Sequence, residues 1–377
     1  MKRLALFLDG TWNDVSSNTN VWRMKALCAP IDNKGIEQRL YYDEGVAGVR
    51  GGGFGQGLGK NILQAYQWVV ENFEKDDEIF IFGFSRGGFT ARSLAGFISK
   101  YGVLSAGSPL GIGQLYQRYQ QDDKPTLYAL DGLAAKGSVS LSLEDRWIRQ
   151  FCLHTHIKMV GVWDTVGALG IPIGSFEGIS TKTFNWMHTG LREPIQNAYH
   201  AVAVDELRKK FAPTLWTIKN RTDNKRTMAN VEQRWFPGAH ANVGGGYFSD
   251  PLAQRPLRWM MNKAENLGLE FRSIPDQLND VHEADIAESH REFLSGIYRL
   301  ISPPFARRIG EGQVKVEGLE SQNLYETIDR SVFERMQNNH GYRPKNIVEW
   351  AKRHSFNWQN SGASVDADTA RPIACLF

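Results

Sequence analysis

The chain has 377 residues, 42% of them hydrophobic and 23% charged, with a formal net charge of +3 at pH 7. This balance fits one large globular unit with insertions, or at most two domains, and excludes a disordered or fibrous chain. So small a charge over this length gives no argument for nucleic acid, while a mild attraction to anionic membrane surfaces stays compatible with it.

Met1-Lys2-Arg3 precede an apolar run, Leu4 to Leu8, that Asp9 interrupts. A secretory leader needs about 7–15 apolar residues before a small-residue cleavage site, and a membrane span needs about 20. Neither pattern occurs. The expectation is a chain made in the cytoplasm, with any export following a route that needs no cleavable signal. Cys28, Cys152 and Cys375 lack paired spacing, so they read as packing residues and not as a disulfide or metal framework.

In chain order, Arg3 to Leu8 reads as a buried strand. The stretch Gly45 to Gly59 holds eight glycines, but Asn61 follows Gly59-Lys60 where a phosphate loop places Ser or Thr. Phe54 also stands where the first loop glycine belongs, so the stretch reads as a loop before a helix at Asn61. Ile62, Leu63, Tyr66, Val69, Val70 and Phe73 have helical spacing, and Asp76-Asp77 end that helix. Ile79 to Phe82 reads as a buried parallel strand, with a second helix carrying Phe89, Leu94, Phe97 and Ile98 behind it. Ile157 to Trp163 and Val231 to Phe236 are further strands, and insertions are expected at about 105–150 and 171–200. Beyond 270 the pattern is irregular, with helical fragments near Glu288 to Ile301 and Ile347 to His354. The expected fold is α/β and α/β-hydrolase-like, a mostly parallel sheet flanked by helices. Residues 1–270 form the catalytic part and 271–377 a C-terminal cap or peripheral layer of the same domain.

The chemistry centres on Gly83-Phe84-Ser85-Arg86-Gly87, between a buried strand and a helix. A serine in so tight a turn is lifted clear of the sheet, and small residues two before and two after it let the backbone pass closely. The helix N-terminus favours developing negative charge, and the Arg86 N–H points toward an oxyanion. Serine needs a base, and in this arrangement an acid and then a histidine follow along the chain. Asp164 ends one strand and His240 follows another, so both reach the sheet edge that bears Ser85. His200 opens a helical-looking segment, His200 to Glu206, and is expected to brace the site. His154 and His156 have the spacing of two metal ligands on one strand face, yet no further ligand cluster accompanies them, so no metal is expected. Asp9-Gly10-Thr11 after the first strand is similar to the haloacid-dehalogenase phosphatases. Phe7 stands where their nucleophilic aspartate belongs, which removes that reading. The same turn is where a second oxyanion donor is expected, from Gly10 or Thr11.

Taken together, five motifs resemble one family. They are Leu8-Asp9-Gly10-Thr11-Trp12-Asn13, the Gly83 to Gly87 elbow, Val162 to Gly167, His200 to Glu206, and Trp235 to His240 with Val243 to Tyr247. The chain is similar over about residues 1–270 to the catalytic domain of type VI secretion phospholipase effectors. The resemblance implies an α/β-hydrolase fold, a triad of Ser85, Asp164 and His240, and phospholipase activity without a cofactor. Asp9, His200 and Asn242 are its supporting positions. Asn242 departs from the family's usual Asp, so a carboxylate that supports the histidine is expected to be missing. The implied partners are a lipid or other acyl-ester substrate, a membrane surface, and an immunity or secretion-spike protein. The alternatives are an esterase for small or sugar-linked acyl groups and a non-catalytic interaction module. Phe184-Asn185-Trp186-Met187 and Phe293 to Phe305 are candidates for a lid or acyl groove.

Overall fold

The computed structural model describes residues 1–10, 13, 15–45, 54–121, 123–137, 140–166, 191, 193–218, 226–248, 250–276, 278, 283–287, 303–311, 313–316 and 319–373. Its centre is an eight-stranded sheet. The strands are β1 (Arg3–Leu8), β2 (Gln38–Asp43), β3 (Glu78–Phe84) and β4 (Ile157–Trp163). β5 (Ile195–Ala203), β6 (Val231–Phe236), β7 (Glu326–Ile328) and β8 (Val365–Asp366) complete it. The spatial order is β8-β7-β6-β5-β4-β3-β1-β2, and every pairing is parallel except that of β7 with the edge strand β8. The chain passes from β1 outward to β2 and returns to the other side of β1 as β3. Strand order therefore reverses between β1 and β3, and crevices for ligands open at the carboxyl ends of strands at such a point.

Alternation along the strands buries both faces. Leu6, Leu8, Ile79, Ile81, Val160 and Val162 face α2 (Phe54–Asn72) and α3 (Arg86–Tyr101). Ala5, Phe7, Phe80, Phe82 and Met159 face the layer of α1 (Asn20–Leu27). The expected insertion at 105–150 is a helical cover made of α4 (Ile112–Tyr119), α5 (Leu127–Lys136) and α6 (Leu143–Phe151). Tyr119 of α4 packs its ring 5.0 Å from that of Phe97. The buried Arg118 ties α4 to α6 through Glu144 at 2.6 Å. Among the described residues no helix is long and apolar enough to cross a membrane.

Three expectations are corrected. The segment from His200 is strand, not helix: His200-Ala201-Val202-Ala203 lies in β5, in the middle of the sheet. A short apolar run covered on both sides carries no period-2 signal, which is why it reads as helix. The insertion drawn at 171–200 therefore stops short of β5; residues 167–190 lie outside the described residues. The stretch 271–377 is more than a peripheral layer. It supplies β7 and β8, and α8 (Arg330–Asn338) and α9 (Lys345–Arg353) bury Phe333, Met336, Ile347 and Trp350 against Val202, Trp235 and Ile328. Residues 288–302, including most of the second lid candidate, and Phe184 to Met187 lie outside the described residues.

Candidate active site

β3 delivers Ser85 into a backbone conformation that side chains rarely adopt, with φ 57° and ψ −120°. Two glycines make the turn fit. A Cβ on Gly83 would lie 2.4 Å from the Gly87 carbonyl oxygen, and one on Gly87 would lie 2.2 Å from that of Leu8. The Ser85 N–H donates to the Trp163 carbonyl at 3.0 Å, pinning the turn to the end of β4. Arg86 opens α3, so its own N–H falls in the first turn, where no intrahelical acceptor exists.

Asp164 follows β4 and is fully buried, with a positive φ of 33°. His240 starts the short helix α7 (His240–Gly244) behind β6. The two loops converge on the serine: His240 Nε2 lies 2.8 Å from Ser85 Oγ, and His240 Nδ1 lies 2.5 Å from Asp164 Oδ2. An ionised carboxylate only accepts, so Nδ1 carries the proton and Nε2 is left to accept from the hydroxyl. Phe84 and Phe211 flank the imidazole at ring distances of 4.7 and 5.1 Å. Ser85 and His240 are buried, keeping 8% and 7% exposure.

The Asp164 carboxylate is held from a direction that sequence reasoning missed. Arg307 grips it with both guanidinium branches, Nη1 donating to Oδ1 at 2.6 Å and Nη2 to Oδ2 at 2.9 Å, and the Ala203 N–H donates to Oδ1 at 2.9 Å. Burial alone raises this carboxyl. The Arg307 charge and the His240 hydrogen bond more than reverse that and hold it well below the usual carboxylate range. Arg307 sits in an aperiodic stretch with no local signature, so only the folded arrangement reveals it. Asp205 was likewise missed as an actor: it accepts from the Gly238 N–H at 2.7 Å and from Tyr342 Oη–H at 2.8 Å, fixing the loop that presents His240.

His200 does not reach the serine. Its Nε2 accepts from the Thr165 N–H at 3.1 Å, and its Nδ1 faces Gln233 Oε1 at 3.4 Å. Burial, with the nearby Arg92 charge, pushes it down to about 3, so it stays neutral and braces the loop after Asp164. Asp9 is buried and accepts from the Gly10 N–H at 2.7 Å, Thr19 Oγ1 at 2.5 Å and Tyr42 Oη at 3.0 Å; burial raises it to about 6. This corrects the expectation for Gly10. Its N–H is already engaged by Asp9, although the residue does pack on Ser85, where a Cβ would come within 3.3 Å of the serine Cβ. Thr11 lies outside the described residues. Asn242 brings an amide, not a carboxylate, to the histidine loop. Its Oδ1 accepts from the Ala239 N–H at 3.0 Å, and its Nδ2 donates to Asp250 at 3.2 Å, so it caps α7. The exposed His154 pairs with Asp131 at 2.7 Å, His156 is exposed, and no metal-binding cluster occurs among the described residues.

Residues 2–263 match the family described as T6SS, phospholipase effector Tle1-like, catalytic domain. The chain belongs to this family. The uncharacterized protein YEL023C of Saccharomyces cerevisiae is 26% identical over 241 aligned residues, which take in 57% of this chain and 33% of that protein. Among solved structures, an uncharacterized protein from Pseudomonas aeruginosa is 15% identical with a TM-score of 0.45, covering 81% of this chain and 51% of that one. The Tle1 effector bound to the VgrG spike of the type 6 secretion system is 14% identical with a TM-score of 0.41, covering 81% of each chain. The chain thus spans a third of the yeast relative and about half of the Pseudomonas protein.

Proposed function

We propose that the chain hydrolyses acyl esters of lipids through a serine acyl-enzyme, with Ser85 as nucleophile, His240 as base and Asp164 as its partner. The observation that carries the reading is the 2.8 Å approach of His240 Nε2 to Ser85 Oγ, backed by the 2.5 Å contact of Nδ1 with Asp164. As the hydroxyl attacks the carbonyl carbon, His240 takes its proton and then gives it to the leaving alcohol; water reverses the sequence to release the acid. Asp164 holds the tautomer and stabilises the transient imidazolium. The Arg86 N–H, at the start of a four-turn helix, is one donor for the oxyanion.

Family membership supports a phospholipid as the substrate class and export as an effector, with a secretion spike and an immunity protein as the expected partners. The decisive experiment incubates the purified chain with phospholipid vesicles and follows fatty-acid release, with Ser85→Ala alongside. The variant should stay folded and lose on the order of 10³-fold or more in turnover. Retained activity in a folded Ser85→Ala protein ends the serine reading. Turnover of monomeric short-chain ester, with no acid released from vesicles, moves the substrate from lipid to small ester.

A further inference from the structure

Arg307, which grips Asp164 as a fork, lies outside the stretch matched to the family, and its contacts reach beyond that one carboxylate. The guanidinium is 1% exposed and reaches three separate pieces of the site. Besides both oxygens of Asp164, its Nη1 donates to the Ala203 carbonyl at 2.8 Å and its Nη2 to the Phe211 carbonyl at 2.6 Å. Ala203 ends β5 and returns its own N–H to Asp164. Phe211 is the ring that packs edge-on against His240. One planar group therefore fixes the plane of the carboxylate, the strand end beside it and a residue packed on the imidazole.

We propose that Arg307 is a positioning residue for the reaction, setting the carboxylate plane of Asp164 against His240 and balancing its charge. The proposal rests on the serine-hydrolase reading above. A carboxylate accepting two parallel N–H bonds from a fork cannot rotate, so Oδ2 stays aimed at His240 Nδ1. The charge argument follows from the neighbours. After β5, Glu206 is matched by Arg208, whose Nε and Nη2 donate to its two oxygens at 2.8 Å each. His200 in β5 is neutral, and Arg92 on α3 donates through Nη1 to the Thr214 carbonyl. Asp205, on the loop edge, accepts from Tyr342 and Gly238. On the β1 side, Asp9 is enclosed by four donors. Without Arg307 the buried Asp164 charge would have only the imidazole to neutralise it and would draw a proton onto the group that must act as base.

The test compares Arg307→Met, which removes charge and fork, with Arg307→Lys, which keeps the charge alone. Turnover of a soluble short-chain ester is measured from pH 5 to 9, with melting temperature as the folding control. Arg307→Met should lose on the order of 10²-fold in kcat with KM changed much less. The acid limb of its kcat/KM profile should move to higher pH by roughly one unit. In Arg307→Lys the acid limb should stay at its wild-type position while kcat remains low, because an ammonium cannot make the fork. Folded Arg307→Met with wild-type kcat and an unmoved limb overturns the proposal. If that variant does not fold, wild-type kcat in Arg307→Lys overturns it equally, leaving a residue that only stabilises. Ser85→Ala runs in parallel. An active Ser85→Ala protein means that the site reading has failed, whereas an inactive one beside normal Arg307 variants means that only this inference has.

Discussion

Replacing Gly87 by alanine tests the elbow at the point where the sheet leaves least room. The added Cβ would sit 2.2 Å from the Leu8 carbonyl oxygen and 2.4 Å from that of Asp9, and both are backbone atoms with no flexible end to swing away. Either the end of β1 or the start of α3 must retreat by roughly 1 Å, a displacement that costs on the order of 10²-fold in rate when it separates reacting groups. Gly10 packs directly on Ser85, so the retreat loosens the packing beside the proposed nucleophile. Overpacking of this kind also costs about 1–3 kcal/mol of stability. Gly87→Ala should therefore show a kcat about 10²-fold down on a soluble ester, with a melting point lower by several degrees. Gly132→Ala is the internal control: it lies inside α5 with nothing within 4 Å of the new methyl, and should gain up to about 1 kcal/mol with unchanged turnover. Wild-type turnover and melting in Gly87→Ala would show that β1 and the elbow are not packed as described.

Four further outcomes follow from the same geometry. His240→Ala should fall nearly as far in turnover as Ser85→Ala, and the double variant should be scarcely worse, as for residues working as one unit. His200→Ala should instead lose about 2–4 kcal/mol of stability by leaving the Thr165 N–H unpaired beside a cavity, and a folded but inactive His200→Ala protein with an active His240→Ala protein would reverse the assignment. Asn242→Asp would set a second carboxylate against Asp250, which burial already raises to about 6. A like-charge pair favours a shared proton, so this variant should be destabilised at pH 8 and recover toward pH 5; equal melting curves at both would refute it. Burial raises Glu326 to about 7 against an unfolded value near 4.5. Its folded state therefore holds the proton longer, and its contribution, on the order of a few kcal/mol, is present below about pH 4.5 and lost as pH rises through 7. The stability of Glu326→Gln relative to wild type should thus climb over that interval, and parallel stability–pH curves would count against a buried, proton-holding carboxyl.

What could be read from the sequence depended on how local the physical constraint is. Ile79 to Phe82 is apolar because both faces of β3 are covered, and the turn after it needs two glycines within five residues, so strand and elbow announce themselves together. Asp164 and His240 were legible because Asp164 directly follows one strong strand signal and His240 stands four residues past another, which places both near the carboxyl edge. β5 failed the same test: His200-Ala201-Val202-Ala203 is small, apolar and doubly buried, and its pattern does not separate strand from helix. Asn242 was legible as a missing carboxylate, whereas its cap on α7 depends on Asp250, a partner outside its own motif. Gly10 was legible as a neighbour of Ser85, whereas the capture of its N–H by Asp9 is a rotamer-level fact with no sequence trace. Arg307 had no chance of being found: one arginine beside another in an aperiodic stretch looks like solvated charge, and its burial is decided by a partner far away in sequence.

The segment beyond residue 263 has a part in the site that the boundaries of the matched stretch do not convey. Two acids stand at strand ends around Ser85, the fully buried Asp164 after β4 and the half-buried Asp205 after β5, and each is satisfied from the C-terminal region. Arg307 neutralises the first, and Tyr342 donates to the second. Asn346 adds a hydrogen bond to the Val204 carbonyl at 2.9 Å, between the two. β7 covers the edge of β6, the strand that leads to His240, so its backbone groups are paired there and not left as an open edge. A buried carboxylate stripped of its partner costs several kcal/mol, and an uncovered strand edge invites association. Arg307 and Tyr342 tie these acids to the C-terminal region as one cooperative unit. The C-terminal region is for that reason part of the same fold as the proposed acid–base pair, which it reaches through Arg307 and Tyr342.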